Sequence, residues 1–153
     1  MRIVFVCTGN ICRSPMAEGL LRHRWPESGE EALAVSSMGT HGLDQAPAQP
    51  FARQVCEAHG IDIAAHRSRP LVGDELRQAD LVFCMEPAQQ AFVQTFFPWL
   101  KDRIHLLAAW PGKPTRKSVI PDPMGAPLGA YEAAFDRIQR HIDRILPELT
   151  ARY

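Results

Sequence analysis

The sequence has no net charge: 17 Lys and Arg balance 17 Asp and Glu. No broad field therefore draws the chain to nucleic acid or to a membrane surface, and any anion site must be built locally. No window holds eighteen apolar residues in a row, which excludes a membrane-spanning helix. The opening MRIVFVCTGN is too short an apolar run for a signal peptide. Cysteines are few and unpaired in spacing: Cys7, Cys12, Cys56 and Cys84. They form no secreted-type disulfide framework and no double pair of the zinc type. A reducing cytoplasm is the expected compartment. There is no internal repeat and no low-complexity segment.

What is present is one ordinary globular composition, 46% hydrophobic over 153 residues. That length fits a single domain, 1–153, able to bury a core without disulfides or metals. Apolar runs at 2–6, 33–37, 80–85 and 104–108 read as strands. Helical patterns run from Ser14-Pro15 to about Trp25, from Pro47 to His59 and from Pro87 to Phe96. A long amphipathic helix follows from Leu128 to Leu149. Between Trp110 and Pro127, five prolines and two glycines dictate a long ordered loop. Strands alternating with helices predict an α/β fold with a parallel sheet covered by helices on both faces.

The chemistry concentrates in Cys7-Thr8-Gly9-Asn10-Ile11-Cys12-Arg13-Ser14, between the first strand and the first helix. Ligands of open α/β sheets bind at the carboxyl ends of strands, and a helix start adds unpaired amides and a positive dipole end. Gly9 lets the backbone turn, and Asn10 tolerates left-handed dihedrals. The loop can then wrap one tetrahedral anion in backbone amides. Amides, dipole and Arg13 all favour a thiolate on Cys7. Ser14 can donate to that sulfur, and Arg13 can grip two phosphate oxygens with its planar fork. No metal or organic cofactor is required.

Cys-x5-Arg-Ser at the end of the first strand, continuing through Pro15, Met16, Ala17 and Glu18, resembles the low-molecular-weight protein tyrosine phosphatases. Asp122-Pro123 resembles that family's acid loop, and His66 in AHRSRPL its His-x-Ala-Arg segment. Ser36 lies where the family has a serine after its second strand. The resemblance implies a four-stranded parallel sheet, attack by Cys7 on phosphotyrosine in a protein substrate, and a cysteinyl-phosphate intermediate. It implies that Asp122 protonates the leaving oxygen. It also implies that Asn10, Ser14, Ser36 and His66 form a supporting hydrogen-bond network. A monomer is expected.

Each residue also has a plainer reading. Cys7 or Cys12 could be core, and Asp122 could merely open a turn. Cys56 and Cys84 read as core. The sequence departs from the family where aromatic residues usually wall the substrate ring. Met124 follows Asp122-Pro123, and the second wall position falls near Gly42, flanked by His41 and Leu43. Two relatives compete. Protein arginine phosphatases share the Cys-Thr-Gly-Asn opening but carry Thr where this chain has Ile11. Arsenate reductases need further close cysteines, and Cys84 is followed by Gln89 and Gln90. A phosphate-binding module without turnover would keep Arg13 but not need both Cys7 and Asp122. The resemblance gives Cys12 a further role: a disulfide with Cys7 that protects it from over-oxidation.

Overall fold

A computed structural model describes residues 1–26 and 32–152. Four strands, β1 (Arg2–Cys7), β2 (Ala34–Gly39), β3 (Leu81–Cys84) and β4 (Ile104–Leu106), form one sheet in the order β2-β1-β3-β4. All three pairings are parallel. The helices are α1 (Arg13–Arg24), α2 (Pro50–Ala58), α3 (Gly73–Gln78), α4 (Pro87–Phe96) and α5 (Leu128–Arg152).

Strand alternation divides the core in two. Ile3, Phe5 and Cys7 point to one face, where they meet Met16, Leu20 and Leu21 of α1 and Phe135, Ile138 and Ile142 of α5. Val4 and Val6 point to the other, against Leu76 of α3 and Val93 of α4. The four-stranded sheet with helices on both faces is therefore as expected.

The boundaries moved in physically sensible ways. Helix α2 begins at Pro50 rather than Pro47, because a residue before proline avoids the helical region and Gln49 stands at ψ 144°. Strand β2 runs on to Gly39, since Met38 and Gly39 still pair with Val6 and Cys7. Helix α3 was not expected: six residues are too few to show a helical period. From Leu107 to Pro127 the chain has no helix or strand, as its prolines require.

The order places the site. Neighbours β2 and β3 leave β1 on opposite sides, so β1 ends at the switch point of the sheet. A crevice opens there, beyond the carboxyl ends of the strands. Cys7 is the last residue of β1.

Candidate active site

The loop after β1 is shaped from outside. The Cys7 carbonyl accepts from the Thr40 amide at 3.0 Å, Thr8 from His41 at 2.9 Å, and Gly9 from Leu43 at 3.2 Å. The Asn10 carbonyl accepts from His66 Nε2 at 2.6 Å, and Ile11 from the Gln49 amide at 2.9 Å. Cys12 begins the helical ladder, its carbonyl accepting from Met16 at 3.3 Å. Each trans peptide points its N–H opposite to its C=O. Six outward carbonyls in a row therefore turn the following amides, from Thr8 to Arg13, into the loop. The left-handed residue is Asn10, at φ 60°. That is as expected of its short polar side chain, while Gly9, expected to help the turn, does not have a positive φ.

That side chain is fully used. Asn10 Nδ2 donates to Ser14 Oγ at 2.8 Å and to Ser37 Oγ at 3.0 Å, and Asn10 Oδ1 accepts from the Arg69 amide at 3.0 Å. Ser14 Oγ lies 2.9 Å from Cys7 Sγ. With the sulfur ionised this bond runs one way, from hydroxyl to thiolate. Ser37 donates onward to Glu18 Oε2 at 2.8 Å. The chain Cys7, Ser14, Asn10, Ser37, Glu18 is thus continuous. His66 Nδ1 also sits 3.8 Å from Glu18 Oε2.

Ser36 is corrected here. Its side chain meets Glu75 Oε2 at 3.5 Å, and Ser37 takes the place beside Asn10. The cause is strand alternation: β2 extends to Gly39, so Ser36 and Ser37 lie on opposite faces, and Ser37 shares the Phe5 side. Glu75 in turn grips Arg69 with both oxygens, at 2.5 and 2.7 Å. The hydrogen bonds from Arg69 hold the Glu75 carboxyl below its ordinary range.

Arg13 is 2% exposed, and its Nη1 donates to the Ile120 carbonyl at 2.8 Å and pairs with Glu86. Its Nη2 lies 3.5 Å from Asp122 Oδ2. Asp122 is half exposed, and its Oδ1 accepts from the Met124 amide at 3.0 Å. The turn-opening and pocket-facing readings of Asp122 therefore both hold, one for each oxygen. The loop bearing Asp122 is tied down through the Ile120 amide, bonded at 3.0 Å to the carbonyl of Met85, the residue after β3.

A cavity of about 270 Å³ opens above the loop, lined by Cys7, Thr8, Gly9, Ile11, Cys12, Arg13, His41, Leu43, Asp122 and Met124. The sequence had named every one of these. Asn10, Ser14 and His66 lie behind the loop. An aromatic wall at Gly42 is ruled out by the backbone, since a Cβ there would stand 2.0 Å from the Arg69 carbonyl oxygen. His41 and Leu43 form that wall instead.

Three supports went unread. Glu86 lies just before α4, in a Glu-Pro-x-Gln string that signals a helix start more readily than an ion pair. Gln89 is buried; its Oε1 accepts from the Met85 and Glu86 amides, and its Nε2 donates to Thr8 Oγ1 at 3.2 Å. Ser68 is buried and donates to the Leu43 carbonyl at 2.8 Å, fixing the wall.

The other thiols divide by surroundings. Burial pushes Cys56 up to about 12, and burial also raises Cys84. Both sit in the core, as expected. Cys12 Sγ lies 3.7 Å from Tyr131 Oη and 3.9 Å from Met124 Sδ, and burial pushes its thiol up to about 11. Among the described residues, no three His, Cys, Asp or Glu converge as metal ligands.

Such a loop can hold a tetrahedral oxyanion with amides and one guanidinium, below a sulfur and beside a carboxyl. The family described as "Low molecular weight phosphotyrosine protein phosphatase" matches residues 2–152. A relative from Ralstonia nicotianae named "Probable low molecular weight protein-tyrosine-phosphatase EpsP" is 38% identical, over 97% of this chain and 96% of its own. A "Protein-arginine-phosphatase" from Geobacillus stearothermophilus is 35% identical over 97% of this chain and 95% of its own. The crystal structure of a low molecular weight protein tyrosine phosphatase from T. tengcongensis superposes with a TM-score of 0.88. It is 32% identical and covers 97% of this chain and 99% of that one.

Proposed function

Since this chain belongs to the low molecular weight phosphotyrosine protein phosphatase family, we propose that it hydrolyses phosphotyrosine in proteins through a phosphorylated Cys7. The single observation that carries this is the row of six outward-bonded carbonyls, Cys7 to Cys12, which leaves the loop's amides for a phosphoryl group. In the reaction the Cys7 thiolate attacks phosphorus in line. The sulfur–phosphorus bond forms as the phosphorus–phenol oxygen bond breaks, and Asp122 gives its proton to the departing phenolate. The Asp122 carboxylate then takes a proton from water, whose oxygen attacks phosphorus and expels the thiolate, leaving inorganic phosphate. The amides of the loop and Arg13 hold the equatorial oxygens, where charge gathers. Asn10, Ser14, Ser37 and His66 hold the loop and the sulfur in place. His41, Leu43 and Met124 flank the substrate ring.

Phosphoarginine is the second reading, favoured by the arginine-phosphatase relative and by walls that lack phenylalanine, tyrosine or tryptophan. Ile11 weighs against it, since it narrows the pocket and brings no hydroxyl to a guanidinium. The reading includes a cytoplasmic setting, in which all four thiols stay free, and a monomer.

The test compares turnover of phosphotyrosine, phosphoserine and phosphoarginine peptides in EDTA, for the wild type and Cys7→Ser. Phosphotyrosine should lead, and Cys7→Ser should be inert while still binding vanadate. Equal turnover by Cys7→Ser would overturn the mechanism, and faster phosphoarginine turnover would favour the second reading.

A further inference from the structure

Met124 has two sides. One faces the phosphate cavity, and the other faces a separate depression of about 310 Å³. That depression is formed by Met124, Gln49, Pro50, Phe51, Ala126 and Tyr131, and no charged side chain lines it. Its size lies at the low end for ligand pockets and suits one amino-acid side chain. Large apolar side chains left exposed are few among the described residues, and three of them follow one path: Leu43 at 48%, Met124 at 51% and Phe51 at 39%. A contiguous exposed apolar surface of this kind marks a contact surface.

The depression is built rather than incidental. Phe51 stands edge-on to Tyr131 with ring centres 5.5 Å apart. The Gln49 amide is bonded to the Ile11 carbonyl of the phosphate loop, and Tyr131 Oη and Met124 Sδ both touch Cys12 of that loop. Its position is therefore fixed relative to the phosphate cavity, one side chain's width away.

We infer that this depression is a second substrate subsite, which takes an apolar side chain two residues from the phosphotyrosine in the same polypeptide. The inference rests on the phosphotyrosine reading above. In an extended chain, side chains at i and i+2 share one face and stand about 7 Å apart. That spacing lets a peptide straddle Met124, with the phosphotyrosine ring on one side and its neighbour on the other. The lining disfavours an acidic neighbour, whose carboxylate would lose water and find no cation there, only neutral groups. Continuity with the catalytic cavity through Met124 makes the substrate's own chain the occupant.

The experiment measures kcat/KM for phosphotyrosine peptides of one length carrying Leu, Ala or Asp at the −2 or +2 position, beside p-nitrophenyl phosphate. Leu should exceed Asp by about tenfold at one of these positions, mainly through KM. Phe51→Ala should erase that preference while leaving p-nitrophenyl phosphate within about twofold, and Phe51→Leu should keep most of it. Thermal melts and light scattering accompany each variant. Equal rates for Leu and Asp peptides in the wild type would overturn the subsite and leave the phosphatase reading intact. So would a Phe51→Ala loss of the same size on the small substrate. A wild-type dimer that Phe51→Ala dissociates would make the face a contact between copies and overturn the subsite as well. Failure to turn over any phosphotyrosine substrate would overturn both.

Discussion

Glu86 holds Arg13 through Nη1, the same nitrogen that donates to the Ile120 carbonyl. The guanidinium is thus clamped on one edge and free to offer Nη2 to the cavity, near Asp122 at 3.5 Å. Arg13 is almost wholly buried, so its direction is set by these two partners. Glu86→Gln should cost about tenfold or more in kcat/KM, as for a lost charge-assisted bond. The constant for inhibition by phosphate should weaken in parallel, and Glu86→Asp should recover part of both. Arg13→Lys should fare worse, since one ammonium cannot reproduce a planar fork. Near-normal phosphate inhibition in Glu86→Gln would mean that Ile120 alone orients Arg13.

Asp122→Asn should lower kcat by about 10²–10⁴-fold for substrates with poor leaving groups. The deficit should shrink as the leaving phenol becomes more acidic, because a good leaving group departs without a proton. A plot of log kcat against leaving-group pKa for both enzymes tests this. Parallel lines would assign Asp122 only the turn that it forms with the Met124 amide.

Ser37 and Ser36 should behave differently. Ser37→Ala leaves one Asn10 Nδ2 proton without its partner and removes the donor to Glu18. A buried polar group left unpaired costs about 1–3 kcal/mol, so Tm and kcat should both fall. Ser36→Ala removes only a 3.5 Å contact and should stay within about 0.5 kcal/mol of the wild type. Equal effects would mean that the bond from Asn10 to Ser37 does not order the loop.

Ile11→Thr should raise phosphoarginine turnover relative to phosphotyrosine, by widening the cavity that Ile11 lines. Steady-state rates on matched peptides give the ratio. An unchanged ratio would shift the choice to His41, Leu43 and Met124.

Peroxide should inactivate the enzyme and dithiothreitol should restore it, with Cys12→Ser making the loss largely irreversible. The pH dependence is specific. Cys12 is pushed up to about 11 by burial, so near neutrality it is a thiol, and its thiolate fraction rises tenfold per pH unit below that value. Closure of a Cys7–Cys12 disulfide on a Cys7 sulfenic acid should quicken by about that factor per unit between pH 7 and 9. Mass spectrometry of quenched samples follows the linkage. Recovery of Cys12→Ser to wild-type levels would exclude this protection.

The reach of the sequence follows from where each signal lies. The loop from Cys7 to Ser14 is contiguous, so its spacing states its chemistry, and all ten residues that line the cavity were found. Asp122 was marked by the resemblance of Asp122-Pro123 to the family's acid loop. Supports that depend on strand phase were lost. Ser36 was assigned by resemblance, and because adjacent residues of a strand face opposite sides, an offset of one residue put Ser37 in its place. Glu86 and Gln89 were hidden by a second duty at the start of α4. The left-handed backbone expected at Asn10 is there, and its side-chain bonds hold it, while Gly9 keeps an ordinary φ.

The six carbonyls tied from outside have one more consequence. Their donors, Thr40, His41, Leu43, His66, Gln49 and Met16, all belong to the folded protein, so the cradle is formed before any ligand arrives. Pre-organisation of that kind removes the ordering penalty for whatever oxyanion enters. It gives the ester no advantage over the free ion in the cradle itself. Inorganic phosphate, the reaction's own product, meets the same amides and the same guanidinium. Discrimination must then come from what lies above the loop, and turnover in a phosphate-rich medium is set by how readily the cradle empties.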